Sequence, residues 1–287
     1  MALSLDLNKC VKCGGCVEVC PVGVFEQKGQ MDVPQIVRES FCIECAHCML
    51  RCPVDAVSVP GFSADKIVAI GKLPKPEEVA NLLLSRRSVR VFTDQQVDHA
   101  LLEKIVVLAA SGPSGHNVQS TEFTVVQNAK VLKLVEQYTT ETLRQGLKTL
   151  RNPLMRPVVK RVLGNNYEAS VKLLPFNDFL VESHTAGKYS FLHGAPALIA
   201  FHGKPTKVNA DVNAQLSIQN ALLAISGFGI GGFYSGYVTL MATRDKRLME
   251  LLKVPKGNEL FGVVGIGYPK TKFTRYAQRK PPQITWS

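Results

Sequence analysis

All eight cysteines of this 287-residue chain lie between positions 10 and 52, and they fall into two matching arrays. The first reads Cys10-x2-Cys13-x2-Cys16-x3-Cys20-Pro21; the second reads Cys42-x2-Cys45-x2-Cys48-x3-Cys52-Pro53. Each cysteine of the second array follows its counterpart by 32 residues, as Pro53 follows Pro21 and Val54 follows Val22, so the segment is an internal repeat. A C-x2-C-x2-C run wraps three thiolates around one face of an iron-sulfur cube but cannot supply the fourth corner, which comes from the Cys-Pro cysteine of the other repeat. The pattern predicts two 4Fe-4S clusters, one on Cys10, Cys13, Cys16 and Cys52 and the other on Cys42, Cys45, Cys48 and Cys20. Structural disulfides would need an oxidising compartment and no such regularity. Structural zinc would use pairs of C-x2-C in place of triplets with a trailing Cys-Pro.

These arrays resemble the bacterial two-4Fe-4S ferredoxins over about residues 3–60. The resemblance implies a small fold of pseudo-two-fold symmetry with a hairpin at 24–33 between the repeats. It also implies low-potential clusters that carry one electron each and are damaged by oxygen, so the expected setting is the cytoplasm of an anaerobe.

Length and apolar content allow two domains. The net charge of +11 is uneven: residues 1–62 carry five basic and seven acidic side chains, leaving 29 against 16 for the rest. No basic run interleaved with aromatics occurs, so nucleic acid is not an expected partner. The first residues lack a cationic stretch followed by an apolar one, and no signal peptide is expected. The longest uncharged stretch, 212–243, holds Asn213, Gln215, Gln219 and Asn220 and five glycines between 227 and 236. It reads as a buried helix and a glycine-rich loop, not a membrane span. Punctuation by Pro-Gly and Leu-Pro-Lys-Pro places a linker at 63–76, between a ferredoxin-like domain at 1–62 and a second domain at 77–287.

In the second domain, 77–85 and 97–110 have helical periodicity, while 123–127, 197–202 and 260–267 read as buried strands. The expected class is α+β. Gly227-x-Gly229-x-x-Gly232 matches the dinucleotide fingerprint but follows a helical run, 214–226, where that motif needs a strand, so it is discounted. Arg86, Arg87, Ser88 and Arg90 crowd three guanidinium groups and a hydroxyl into a short segment, a donor set suited to phosphate. Ser114, Asn117 and Gln119 lie in a polar loop whose amides can donate and accept at the edge of a heterocycle. Arg279 offers a further cation past the last strand.

RRSVRVF, PSGHNVQ, GIGGFYSG and GYPK...RKPP, in this order, resemble the FMN-dependent nitroreductase family over about residues 77–287. That resemblance implies an antiparallel sheet wrapped by helices, with FMN at the interface of an intertwined homodimer whose core would suit helix 213–226. It places Arg86, Ser88, Arg90 and Arg279 on the phosphate and ribityl chain, Asn117 and Gln119 at the ring, and the backbone of Tyr234, Ser235 and Gly236 near N5. The tail 270–287 would reach the partner, and the basic segment 138–193 reads as a lid whose Phe176, Phe179 and Tyr189 could face the ring, though such aromatics are more often core. The implied chemistry is reduction of a small-molecule acceptor, a nitro compound or an activated double bond, with reduced ferredoxin or NAD(P)H as donor and no obligatory side-chain base. A non-enzymatic electron carrier or redox sensor is the alternative, as is a flavin domain that oxidises NAD(P)H and exports electrons through the clusters.

Overall fold

The computed structural model describes residues 2–287, which divide into two compact units: the chain up to Pro74 together with Gly115–Val118, and Lys75–Ser114 with Gln119–Ser287. The first unit runs β1 (Ser4–Leu5), α1 (Gly15–Glu18), β2 (Phe25–Glu26), β3 (Gln35–Ile36), α2 (His47–Arg51) and β4 (Val57–Ser58). β1 pairs antiparallel with β4, and β2 with β3. The hairpin expected at 24–33 thus extends to Ile36. Leu3, Val24, Phe25, Met49, Val57 and Val59 bury a small core against Cys16 and Cys48.

The 32-residue repeat is written into the backbone as well. Left-handed φ angles recur in register at Lys12 (59°) and Glu44 (51°), at Gly14 (72°) and Ala46 (60°), and at Gly23 (63°) and Asp55 (50°). A residue with a Cβ in this region gives up about 1–2 kcal/mol. The conformation persists because the loops must curl tightly enough to bring successive cysteines inward.

The second unit contains α3 (Pro76–Ser85), α4 (His99–Ala110), β5 (Glu122–Val126), α5 (Ala129–Arg151), α6 (Arg156–Leu163), α7 (Tyr167–Lys172), α8 (Leu174–Thr185), β6 (Ala197–Gly203), α9 (Ala210–Gly227), β7 (Gly231–Tyr234), α10 (Gly236–Ala242), α11 (Lys246–Leu251) and β8 (Glu259–Gly267). The sheet has the order β5-β6-β8-β7, with every pair antiparallel. Both of its faces are covered. On one, Ala197, Ile199 and Phe201 pack with α4 and α9; on the other, Leu198 and Ala200 pack with α5, α8 and α10. Successive side chains of a strand point to opposite faces, so central β6 is apolar at consecutive positions and all seven of its residues are buried.

Local chemistry sets the helix ends. Pro76 sits at the first helical position of α3 while Glu78 accepts from the Lys75 N–H at 2.7 Å. Asn128 caps α5 by accepting from the Lys130 and Val131 N–H groups. The fingerprint-like glycines lie at the end of α9 (Gly227), in the following turn (Gly229) and in β7 (Gly232), so a helix precedes a strand and no dinucleotide turn forms. Among the described residues no helix is long and apolar enough to cross a membrane.

Candidate functional site

In the first unit the fold gathers the cysteines into two quartets. Cys10, Cys13, Cys16 and Cys52 line one small cavity walled by Leu5, Pro34, Val54 and Val57; Cys20, Cys42, Cys45 and Cys48 line another, walled by Val22, Val24, Phe25 and Val59. Backbone amides point at the two Cys-Pro sulfurs in matching fashion: Val24 N–H donates to Cys20 Sγ and Ala56 N–H to Cys52 Sγ, both at 3.2 Å. Burial raises the thiol pKa of Cys16 and pushes that of Cys48 up to about 11, so iron must displace protons as it binds. Among the described residues no three His, Cys, Asp or Glu side chains are spaced for a single ion. Thiolates ranged around a cavity suit a cube of irons, whose ligands stand farther apart than those of one tetrahedral metal. The quartets therefore fit 4Fe-4S groups.

In the second unit the arginine segment lies along β7. Ser88 bridges Gly232, and Val89 N–H donates to the Gly232 carbonyl at 3.1 Å. Farther on, Thr93 N–H donates to the Tyr268 carbonyl and Lys270 N–H to that of Val91, with Phe92 bridging Pro269. The RRSVRVF, GIGGFYSG and GYPK motifs are thus tied together by backbone. The approach is close enough to require glycine: a Cβ on Gly231 would lie 2.7 Å from Val89 Cγ1. Gly231→Ala should cost about 1–3 kcal/mol through overpacking, seen as a lowered denaturation midpoint; an unchanged midpoint would show that segment 86–93 yields freely.

Individual residues of the segment have separate tasks. Arg87 Nη1 donates to the carbonyls of Leu84 and Arg86, closing the end of α3. Arg86 and Ser88 are half-buried, and Arg90 is exposed. Two buried hydroxyls here, Thr93 Oγ1 and Ser235 Oγ, have no hydrogen-bond partner among the described residues, and Ser235 is only 3% exposed. Buried polar atoms are normally satisfied, so an orphan in a motif of this kind marks a place for a ligand group. Tyr234 is 37% exposed and donates to the Phe261 carbonyl at 3.3 Å. The donor set and the two orphaned hydroxyls fit a phosphate-bearing cofactor. Nothing in the sequence distinguishes Thr93 from any other threonine; only the fold reveals it.

The polar loop is strained: His116, Asn117 and Gln119 all have left-handed φ, and Ser114 Oγ accepts from the Gln119 N–H at 3.0 Å. Residues 115–118 group with the first unit, where Asn117 Nδ2 donates to the Glu44 carbonyl at 2.7 Å. Arg279 lies in the exposed segment after β8. Of the lid aromatics, Phe176 and Phe179 are exposed, while Tyr189 packs edge-on against Phe191 and His193. His202 is a satisfied core histidine, bonded to Thr124 at 3.0 Å and Asn258 at 3.1 Å.

A helix-covered antiparallel sheet carrying such a donor segment, in one chain with two cysteine quartets, defines an iron-sulfur redox protein with a second cofactor domain. The chain belongs to the Nitroreductase family, which matches residues 83–268, and residues 9–57 match the 4Fe-4S dicluster domain. It is 27% identical over 197 residues to a protein of Archaeoglobus fulgidus assigned as an NADH dehydrogenase/NAD(P)H nitroreductase, covering 68% of this chain and 87% of that one. A similarly assigned protein of Methanothermobacter thermautotrophicus is 25% identical over 199 residues, covering 69% and 81%. The fold is similar to that of a Bacteroides fragilis nitroreductase solved with bound FMN, with a TM-score of 0.56, 20% identity, and coverage of 73% of this chain and 98% of that one.

Proposed function

We propose that the chain is an FMN-dependent oxidoreductase that passes electrons from a low-potential donor, by way of two 4Fe-4S centres, to FMN and on to a small-molecule acceptor such as a nitro compound or an activated double bond. The observation that carries this reading is the backbone union of segment 86–93 with β7 and with 268–270, in a chain that also rings two cavities with cysteines. When bound, the clusters supply single electrons and the flavin supplies the one-to-two-electron exchange. The side chains bind and orient. Arg86, Ser88 and Arg90, with Arg279, offer charge-assisted donors to the phosphate and ribityl chain. Ser114 and Gln119 present hydroxyl and amide groups to the ring edge, the Asn117 amide being engaged by the Glu44 carbonyl, and residues 234–236 offer backbone and the Ser235 hydroxyl near N5. Arg87 supports this set by closing α3. Cys10, Cys13, Cys16 and Cys52 hold one cluster, and Cys20, Cys42, Cys45 and Cys48 the other.

A homodimer completes the reading: the uncharged face of α9 leaves Val212 and Leu216 exposed, and the tail carries exposed Phe273, Tyr276, Ile284 and Trp286, all suited to a partner subunit. A second reading follows from the names of the archaeal relatives: NAD(P)H reduces the flavin and electrons leave through the clusters.

The test is an anaerobic panel of NADH, NADPH and reduced ferredoxin against purified holoprotein, with flavin and cluster absorbance followed separately. We expect about eight irons and eight acid-labile sulfides per chain, with cluster bleaching preceding flavin bleaching when ferredoxin is the donor. Flavin bleaching first with NADH or NADPH selects the second reading. An iron-free, zinc-loaded preparation after reconstitution would sink both.

A further inference from the structure

A cavity of about 1020 Å³ opens within the second unit between α5, α6, α8 and α10; it includes none of the cysteines or of segment 86–93, and it meets the flavin reading only at Gly236, which lines it. Its walls are mainly aliphatic, with Leu150, Val159, Leu163 and Met241 among them, and Tyr237 is the one aromatic ring in the lining.

Two features indicate what it holds. The first is Gly146, which faces the cavity from the interior of α5 and would find nothing within 4 Å of an added Cβ. A mid-helix glycine weakens a helix relative to alanine, and here no crowding within the chain demands it. The empty space beside it is room left for something else.

The second is the charge arrangement. Both carboxylates in the lining are engaged by Arg247, which bonds Asp245 Oδ2 at 2.7 Å and Glu141 Oε2 at 3.0 Å and lies over the Tyr138 ring. Thr142 adds a further bond to Asp245 at 2.7 Å, and these contacts hold the Asp245 pKa down to about 2. Arg244 also lines the cavity, yet its guanidinium has no ion pair or side-chain hydrogen bond among the described residues. An aliphatic cleft with an unclaimed guanidinium complements a molecule with an apolar chain and one anionic head.

We propose that this cavity is a binding site for an aliphatic carboxylate, with its head on Arg244 and its chain along the α5–α6 walls beside Gly146. The inference stands apart from the flavin reading, because it is tested by binding and not by turnover.

The experiment uses the full-length holoprotein and a fluorescent polyene fatty acid, displaced by dodecanoate or by dodecanol. Wild type should bind the probe saturably at one site per chain and release it to dodecanoate. Arg244→Gln should weaken dodecanoate about tenfold, the loss of one charge-assisted contact, and leave dodecanol unchanged. Gly146→Leu should weaken both ligands more than tenfold with no fall in melting temperature. If that variant melts early, Gly146→Ala takes its place, adding one methyl and favouring the helix. The proposal is overturned by absence of saturable binding, by equal losses for acid and alcohol in Arg244→Gln, or by a folded Gly146 variant that binds like wild type.

Discussion

Reduction of the flavin by a low-potential reduced ferredoxin should fall by at least about tenfold in Cys20→Ala and in Cys52→Ala, while dithionite still reduces the flavin fully. Each substitution removes the Cys-Pro sulfur from one quartet and leaves segment 86–93 and β7 untouched. A fragment of residues 74–287 should behave in the same way, retaining FMN and losing the ferredoxin-driven rate. Covalent fusion keeps the single-electron donor at an effective concentration of about millimolar beside its acceptor, which matters most when it must act twice per turnover. Stopped-flow flavin bleaching measures the rate; a fragment as fast as the full chain would show that the clusters are not the way in.

The second large effect concerns retention of the cofactor. Arg86→Ala combined with Arg279→Ala should weaken FMN binding by at least about a hundredfold, since each loss removes a charge-assisted phosphate contact. The cluster absorbance should remain, because no cysteine cavity includes either residue. Flavin content after gel filtration reads the outcome, and undiminished content in the double variant would remove both arginines from the site. The single variants separate the half-buried Arg86 from Arg279 in the exposed tail.

The sequence disclosed different parts of this molecule to different depths. The α+β class, α4 and the strands β5, β6 and β8 were legible because each carries a strong period or an unbroken apolar run that only a buried element tolerates. β7 was not, since Gly231 and Gly232 give it no strand propensity; glycine stands at these two positions because Val89 crowds the first and Ile225 the second. The Nitroreductase family and the dicluster domain could be read from ordered motifs, each of whose residues has a chemical reason to be there. What motifs cannot convey is how residues are shared out. Arg87 looks equivalent to Arg86 and Arg90 in a string of letters, but it is spent on closing α3. Thr93 has no signature at all until its hydroxyl is found buried and, among the described residues, without a partner. The helices of 138–193 were foreseen only as a lid, and the cavity beside Gly146 depends on where four helices leave space, which no local pattern encodes.

The interleaving of the cysteine quartets bears on how this protein is made. Each cavity takes three sulfurs from one repeat and the fourth from the other. A nascent chain of 41 residues has a full first array of four thiols yet cannot close either cage. One closes only with Cys48 and the other only with Cys52, and at typical rates of about 5–20 residues per second the interval lasts on the order of a second. During it the early thiols are unprotected, so the cell must deliver iron and sulfide to a finished domain, and one truncation or frameshift before position 48 forfeits both centres together.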